Sequence, residues 1–494
     1  MVIPKDRMFK LYLKHITLTS LILFLNPLIA MGQEIPTKVC PAELDRKIDA
    51  VINRPIFHRS RWGILVETLS GENIIYNQDA EYYFIPASTA KLLTTAAVLQ
   101  KLRPQFRIRT SIYGDGEGNI YVVGRGDPSL TENQLKELAE QLKEQGINTI
   151  DRLIADNSYF QGTAINSNWG WEDVQAGYGA PVNSLILNQN SIDLVLSPQG
   201  LGQPLKVTFV DPVQNNKWQI ENNSVTVATH EQEFVEVGRS FTEPIIRISG
   251  QLHVGSVSEP VYVAVAEPVD NFLNKFRQVL ESEGIQVSQI VKKPQKYSNS
   301  NLTELAFVES PTVGELIAEV HQESNNVYAE TLLRQLGASS QLVPDNPSDG
   351  DTLAKSLEEV RLILHRLGVT PNSFRLDDGS GLSRHSLVSP QALVQTLRIM
   401  ANSPWGNIYK NSLPVAGVSG TLSGRFRDTI AEGNVQAKTG SLSGVLSLAG
   451  YMQPPNFEPL VFSIIFNQSD LKSRDVRNAI DEIVLLLTQL NYCG

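Results

Sequence analysis

The sequence predicts a mixed α/β protein whose chain is interrupted by a large β-rich insertion. Three observations carry this. The segment before residue 107 reads strand, strand, helix. Between about 107 and 300 short strand-like runs dominate and helical periodicity is scarce. After about 303 helices recur, and the chain ends in three alternating segments and an amphipathic helix. An insertion inside one α/β domain explains that order better than domains strung in line.

Ala42 to Ile52 reads as a helix, with Leu44, Ile48, Val51 and Ile52 on one side. Trp62 to Leu69 and Asn73 to Tyr76 read as strands joined at Ser70-Gly71-Glu72. "IPASTAKLLTTAAVLQKL" (85 to 102) follows, with Leu92, Leu93, Ala96, Ala97, Leu99 and Leu102 at helical spacing and Pro86 and Ser88 as start signals. In the insertion, strands are expected at Ile108 to Tyr113, Ile120 to Val123, Pro204 to Phe209, Val225 to Ala228 and Ile245 to Ser249. Helices there are expected only at Glu132 to Gln145 and Asn271 to Glu283. "YGDGEGNIYVV" reads as a hairpin. It is not a dinucleotide fingerprint, because Asn119 stands where the third glycine belongs. The polar stretch at 291 to 304 is a return point. Helices follow at Thr312 to His321, Asn326 to Leu336, Leu353 to Leu367 and Pro390 to Met400. Asn434 to Lys438, Val445 to Tyr451 and Leu460 to Phe466 alternate like strands of one antiparallel sheet, and Arg474 to Leu490 closes as a helix.

The 494 residues carry a net charge of −10, with 19% charged and 41% apolar residues. That balance argues against a nucleic-acid surface. Lys5, Arg7, Lys10 and Lys14 precede an apolar stretch from Ile16 to Ala30, and Ala30-Met31-Gly32 offers small residues at a cleavage site. Residues 1–32 are therefore read as an export signal, with retention as an anchor the other reading. The stretch is short for a membrane span. The expected location is the periplasm or cell-wall space, with at most peripheral membrane association. The chain has two cysteines, Cys40 and Cys493. An oxidising compartment permits a disulfide between them, and two unrelated thiols are the alternative. Cys40 lies too far past the apolar stretch for a lipoprotein anchor.

Ser88 and Lys91 are one turn apart on one helix face. The pair reads as an N-cap with a solvated lysine, or as a nucleophile beside its base. Its company favours the second. Ser324-Asn325-Asn326 sits between two helices, and Lys438-Thr439-Gly440 ends a strand. Each piece alone is more often a cap or a turn. Together, in this order and at such element edges, they point to a site. No G-x-S-x-G elbow is present and no histidine fits a Ser-His-Asp arrangement, so Lys91 is the nearest base. It must be neutral to accept a proton, through burial or a nearby positive charge such as Lys438. His321 and His385 are assigned to packing or solvent, and Asp378-Gly379-Ser380-Gly381 to a tight turn. No residue cluster has metal-ligand spacing, and no cofactor is implied.

The three motifs resemble those of the serine penicillin-recognising enzymes. Lys91 and Ser324 are 233 positions apart, and that spacing resembles the low-molecular-mass class C penicillin-binding proteins, D-alanyl-D-alanine carboxypeptidases and endopeptidases. "GRGDPSL", "DNSYF", "DDGSGLSR" and "LPVAGVSGTLSGR" are similar to stretches of the same family. The resemblance implies a penicillin-binding-protein/β-lactamase-like domain, a five-stranded antiparallel sheet flanked by helices, formed by 33–106 and 303–494. It implies an insertion over 107–302 of two nested modules. The first and last helices would pack antiparallel, bringing Cys40 close to Cys493. It implies an acyl-enzyme on Ser88 with Lys91 as base. Ser324 would relay a proton to the leaving amine, and Asn326 would orient Lys91 and substrate. Lys438 and Thr439 of Lys438-Thr439-Gly440 would hold the terminal carboxylate. The backbone N–H groups of Ser88 and Ser441 would form the oxyanion hole.

Peptidoglycan stem peptides are then the substrates and β-lactams the covalent inhibitors. Asp156 matches a position that faces a diaminopimelate amine, and Arg384 lines the same pocket or makes a surface ion pair. The other readings are a β-lactamase or esterase on this fold, and a non-catalytic wall-binding protein.

Overall fold

The computed structural model describes residues 38–291, 302–340 and 351–493. The expected export signal and most of the 291–304 return segment lie outside the described residues. Five strands form one sheet in the order Val435–Leu442, Val445–Met452, Leu460–Asn467, Arg61–Thr68, Ile74–Gln78. Every neighbouring pair is antiparallel, with Lys438 opposite Ala449 and Trp62 opposite Phe466. The two central strands Val445–Met452 and Leu460–Asn467 are buried along their whole length, so both faces of the sheet are covered.

The period of two in these strands sorts their side chains between two cores. Ile64, Val66, Leu448, Phe462, Ile464 and Phe466 face Leu44, Ile48, Val476, Ile480 and Ile483 of the helices Pro41–Ile52 and Ser473–Thr488. Phe57, Trp62 and Phe466 meet there with ring centroids 4.6 to 5.7 Å apart. Leu65, Ala449, Tyr451, Val461 and Ile465 face the other way, against the helix Ala90–Leu102 and its neighbours Val313–Gln322, Asn326–Ala338, Thr352–Leu367 and Pro390–Ala401. Ala90–Leu102 is buried on nearly all sides, because helices pack against it as well as the sheet. The first and last helices run antiparallel. Cys40, before one, is disulfide-bonded to Cys493, after the other, with Cα atoms 5.6 Å apart. Arg54, past the far end of the first helix, reaches Glu482 at 2.6 Å.

The insertion is less purely β than its sequence suggests. Its first sheet has the order Gln286–Val291, Thr149–Asp156, Asn119–Val123, Arg109–Gly114, Thr303–Glu309. The first three strands pair in parallel. Parallel neighbours need crossovers, and the helices Glu132–Glu144 and Pro268–Ser282 supply them, packing Leu135, Leu138, Phe272 and Phe276 on one core. A second module is nested within it. It joins Ser191–Ser197, Lys206–Phe209 and Glu259–Ala264 in one small sheet, and Gln219–Asn222, Val225–Val227, Phe234–Arg239 and Ile245–His253 in another.

Thr303–Glu309 pairs antiparallel with Arg109–Gly114, so it belongs to the inserted sheet and not to the catalytic domain. The return therefore falls one strand later than expected. Ser310 closes it: its N–H donates to the Ile108 carbonyl at 2.8 Å, and its hydroxyl accepts from the Ile108 N–H at 2.9 Å.

Candidate active site

Ser88 sits in a short 3-10 turn, Ala87–Thr89, that runs directly into the helix Ala90–Leu102. The approach to it is tied to the sheet. The Ile85 N–H donates to Asn467 Oδ1 at 2.7 Å, and the Ser447 hydroxyl donates to the Pro86 carbonyl at 2.7 Å. Ala87 has φ +49°, a left-handed conformation uncommon for a residue with a Cβ. Two glycines let other chains come close. A Cβ on Gly440 would lie 2.9 Å from both the Ser88 nitrogen and the Pro86 oxygen. A Cβ on Gly381, itself at φ +77°, would lie 1.9 Å from the Ala87 oxygen.

Lys91 is fully buried below Ser88. Its Nζ lies 2.9 Å from Ser88 Oγ, 2.6 Å from Asn326 Oδ1 and 2.7 Å from the Ser380 carbonyl oxygen. Burial pulls its pKa down to about 7, while the facing carboxylates Asp378 and Glu330 push it back up. Burial is thus the leading cause, ahead of any positive neighbour. Lys438 is also fully buried, and its Nζ contacts Ser324 Oγ and the Thr439 carbonyl, each at 2.9 Å. Burial and the Lys91 charge hold Lys438 well below the usual lysine range. Ser324 has φ +58° and lies between the helices Val313–Gln322 and Asn326–Ala338.

The inserted region helps to aim this middle motif. Asn326 Nδ2 donates to the Tyr178 carbonyl at 3.0 Å, which leaves Oδ1 for Lys91. Asn325 Nδ2 donates to Gln189 Oε1 at 2.7 Å. A cleft of about 540 Å³ opens where Tyr178, Gln189 and Tyr262 of the insertion face Glu319, Ser324 and Asn326. Thr439 and Ser441 lie on the edge strand, with the Thr439 hydroxyl donating to Thr421 at 2.8 Å and Ser441 exposed. The structure therefore gathers Ser88, Lys91, Ser324, Asn326, Lys438, Thr439 and Gly440 into one constellation.

Comparison with known proteins places that constellation. The model of the D-Ala-D-Ala carboxypeptidase 3 (S13) family matches residues 44–490. The chain belongs to that family. It is 31% identical over 448 residues to a D-alanyl-D-alanine carboxypeptidase of Actinomadura sp. (strain R39), covering 86% of this chain and 81% of that one. Against D-alanyl-D-alanine carboxypeptidase DacB of Haemophilus influenzae it is 28% identical over 442 residues, 85% and 88% of the two chains. The crystal structure of penicillin binding protein 4 (dacB) from Haemophilus influenzae superimposes with a TM-score of 0.72 at 25% identity, over 91% of this chain and 98% of that one. This S13 member is a low-molecular-mass class C penicillin-binding protein, a serine DD-peptidase of peptidoglycan.

Asp156 and Arg384 lie outside that constellation's hydrogen bonds as described. Asp156 is only 4% exposed, and its carboxylate accepts the Ser158 N–H at 2.9 Å in a turn at the end of an inserted strand. That bond shapes the turn. Arg384 is exposed and makes no ion pair within 4 Å among the described residues; it donates to the Ser443 carbonyl at 2.8 Å, tying its loop to the end of the Lys438 strand.

His321 is buried and neutral, since burial and the charges of Lys438 and Lys91 hold its pKa well below the usual value. It bridges Thr95 at 2.9 Å and Ser412 at 2.7 Å. Among the described residues no group of three His, Cys, Asp or Glu side chains is placed to hold a metal ion.

The Asp378 loop is closer to the chemistry than a generic turn. Asp378 accepts from the N–H groups of Gly381 and Ser383 and from Trp169 Nε1, at 2.7 to 3.0 Å, and this web presents the Ser380 carbonyl to Lys91. Glu330 was missed altogether in the sequence. Its one signal is a carboxylate four positions after Asn326 on an otherwise inward helix face.

Proposed function

We propose that this enzyme cleaves the peptide bond after a D-residue of peptidoglycan stem peptides through an acyl-enzyme on Ser88. The contact that carries the reading is Lys91 Nζ at 2.9 Å from Ser88 Oγ. Near pH 7 the amine is substantially neutral. A neutral amine has two N–H donors and one lone pair. Asn326 Oδ1 and the Ser380 carbonyl are acceptors only, so they take the two N–H bonds. The lone pair is left facing the Ser88 hydroxyl.

Ser88 Oγ attacks the carbonyl carbon, and its proton passes to Lys91. The oxyanion is held by the backbone N–H groups of Ser88 and Ser441; one such donor is worth about 10²–10³ in rate. The C–N bond then breaks. Ser324 passes a proton to the departing amine and is resupplied from Lys438, 2.9 Å away. Lys438 and Thr439 anchor the leaving carboxylate. The proton on Lys91 returns to Lys438, and water then attacks the ester with the neutral Lys91 again as base, the proton passing on to Ser88 Oγ as the ester bond breaks. A β-lactam amide enters the same first step.

Carboxypeptidase and endopeptidase cleavage break the same kind of bond and differ in what leaves. The cleft between Tyr178 and Glu319 is roomy enough for a longer leaving strand, which supports both activities. Export to the periplasm or wall space, with at most peripheral membrane association, is supported by the charged and apolar segments before residue 32 and by the Cys40–Cys493 disulfide. No helix among the described residues is long and apolar enough to cross a membrane. We assign 107–309 as the inserted region and the rest from 33 as catalytic.

The test is release of free D-Ala from a stem pentapeptide and splitting of a cross-linked dimer, by wild type and by Ser88→Ala. Loss of both in the variant is expected. Retention of either places the nucleophile elsewhere.

A further inference from the structure

Glu330 stands behind the Lys91 site without touching substrate or nucleophile. It lies on the helix Asn326–Ala338, four residues after Asn326, and is fully buried. Its Oε1 accepts two backbone N–H bonds, from Gly379 and from Ser380, both at 2.8 Å. The carbonyl of that same Ser380 takes a proton of Lys91 at 2.7 Å. A carboxylate, a peptide unit and the base are thus in series. The second oxygen, Oε2, is buried with no hydrogen-bond partner.

A buried carboxylate whose second oxygen is unsatisfied is expensive for packing alone. An amide oxygen would accept the same two N–H bonds without burying a charge. Two features make the charge useful. Lys91 gains a proton during acylation while fully buried. A negative charge fixed at the back of the site stabilises that ammonium electrostatically.

We infer that Glu330 is a positioning and charge-balancing residue of the acylation step, holding the Ser380 carbonyl on Lys91 and setting the pH at which Lys91 becomes a base. This rests on the reading of Ser88 as nucleophile and Lys91 as base. The other charged groups facing the cluster are known. Asp378 comes from the loop after the strand Phe374–Arg375, Arg334 from one turn further along the same helix, and Lys438 from the edge strand. His321, from the helix Val313–Gln322, is neutral. Asp351 faces Arg334 from the other side. Burial and the Asp378 charge raise the Glu330 carboxyl to about 7, and the Glu330 charge acts on Lys91 by raising its pKa against the effect of burial.

The sign follows directly. Glu330 favours protonated Lys91, so removing its charge lowers the Lys91 pKa and moves the acid limb of acylation to lower pH. In Glu330→Gln the amide oxygen still accepts from Gly379 and Ser380, so geometry is kept while charge is lost. The experiment is the second-order rate of acylation by benzylpenicillin, followed from pH 5 to 9 for wild type, Glu330→Gln and Glu330→Asp.

Glu330→Gln is expected to shift the half-maximal pH down by about one unit. Its plateau falls, because the developing ammonium has lost its counter-charge. Glu330→Asp keeps the charge but withdraws it by one methylene, so its limb stays in place while the rate drops at every pH. An unmoved limb in Glu330→Gln overturns the inference. Should that variant not fold, a wild-type rate in Glu330→Asp overturns it. Ser88→Ala run beside them separates the two readings: acylation surviving there removes the nucleophile assignment itself, whatever Glu330 does.

Discussion

Gly381→Ala is a stringent test of how this site is held. Gly381 follows the residue whose carbonyl receives Lys91, and it presses against the residue before Ser88. It sits at φ +77°. An alanine there meets the left-handed penalty, about 1–2 kcal/mol. The larger effect is steric. The new Cβ would lie 1.9 Å from the Ala87 oxygen, 2.6 Å from its carbonyl carbon and 3.0 Å from Ala90 Cβ. All three belong to backbone or to a short side chain, so no flexible group can step aside. The Ala87 and Gly381 segments must separate by about 1 Å to reach even a tight contact, and a displacement of that size costs about 10²-fold in rate.

Ser88 and Ser380 then move in opposite directions around Lys91, and the 2.9 and 2.7 Å contacts do not survive together. The assay is benzylpenicillin acylation under pseudo-first-order conditions, beside a thermal melt. A loss of about 10²-fold in acylation rate with a cooperative melt retained is expected. A variant acylated at the wild-type rate would show that the Gly381 approach does not position the nucleophile, and the geometric reasoning would fail.

Other outcomes follow from the same contacts. Wild-type acylation rises through about pH 7, because the base is neutral only above its depressed pKa, and falls tenfold per unit below it; a rate independent of pH between 5 and 9 contradicts Lys91 as base. Asn326→Asp adds a negative charge 2.6 Å from Lys91, beside those of Asp378 and Glu330, and loses the donor to the Tyr178 carbonyl. Its acid limb is expected to move up by one unit or more, roughly as for a carboxylate beside a cation, opposite to Glu330→Gln. Replacing Cys40 and Cys493 by serine opens a loop of 453 positions on the face of the sheet away from Ser88. Denaturant unfolding should show a loss of about 2–5 kcal/mol, with the acylation rate unchanged.

Much of the architecture was legible because its signals are local. The apolar spacing of Leu44, Ile48 and Val51 gives the first helix, and short apolar runs bounded by turn residues give the closing strands. Motif order was legible because Ser88 and Lys91 sit one turn apart, whatever the rest of the chain does. Pairing was not. Thr149–Asp156 and Gln286–Val291 are separated by the whole nested module, yet lie side by side in parallel, and no short-range pattern marks that partnership. The strand Thr303–Glu309 carries no local mark of its sheet either, since only its pairing with Arg109–Gly114 shows which sheet it joins.

At the site, side chains named by motif were readable and backbone partners were not. The Ser380 and Tyr178 carbonyls carry no residue-type signature, and both help to orient the base. The bond from the Ser158 N–H to Asp156, at a strand end, is likewise unmarked by residue type beyond the short Asp-x-Ser spacing.

The most direct measurement is the intact mass of the purified enzyme after incubation with benzylpenicillin, beside Ser88→Ala. Wild type should gain one benzylpenicillin per chain, on a peptide containing Ser88, and the adduct should persist for hours. The variant should gain none. An adduct on Ser88→Ala, or none on either protein, would contradict the assignment of Ser88 and Lys91 as nucleophile and base.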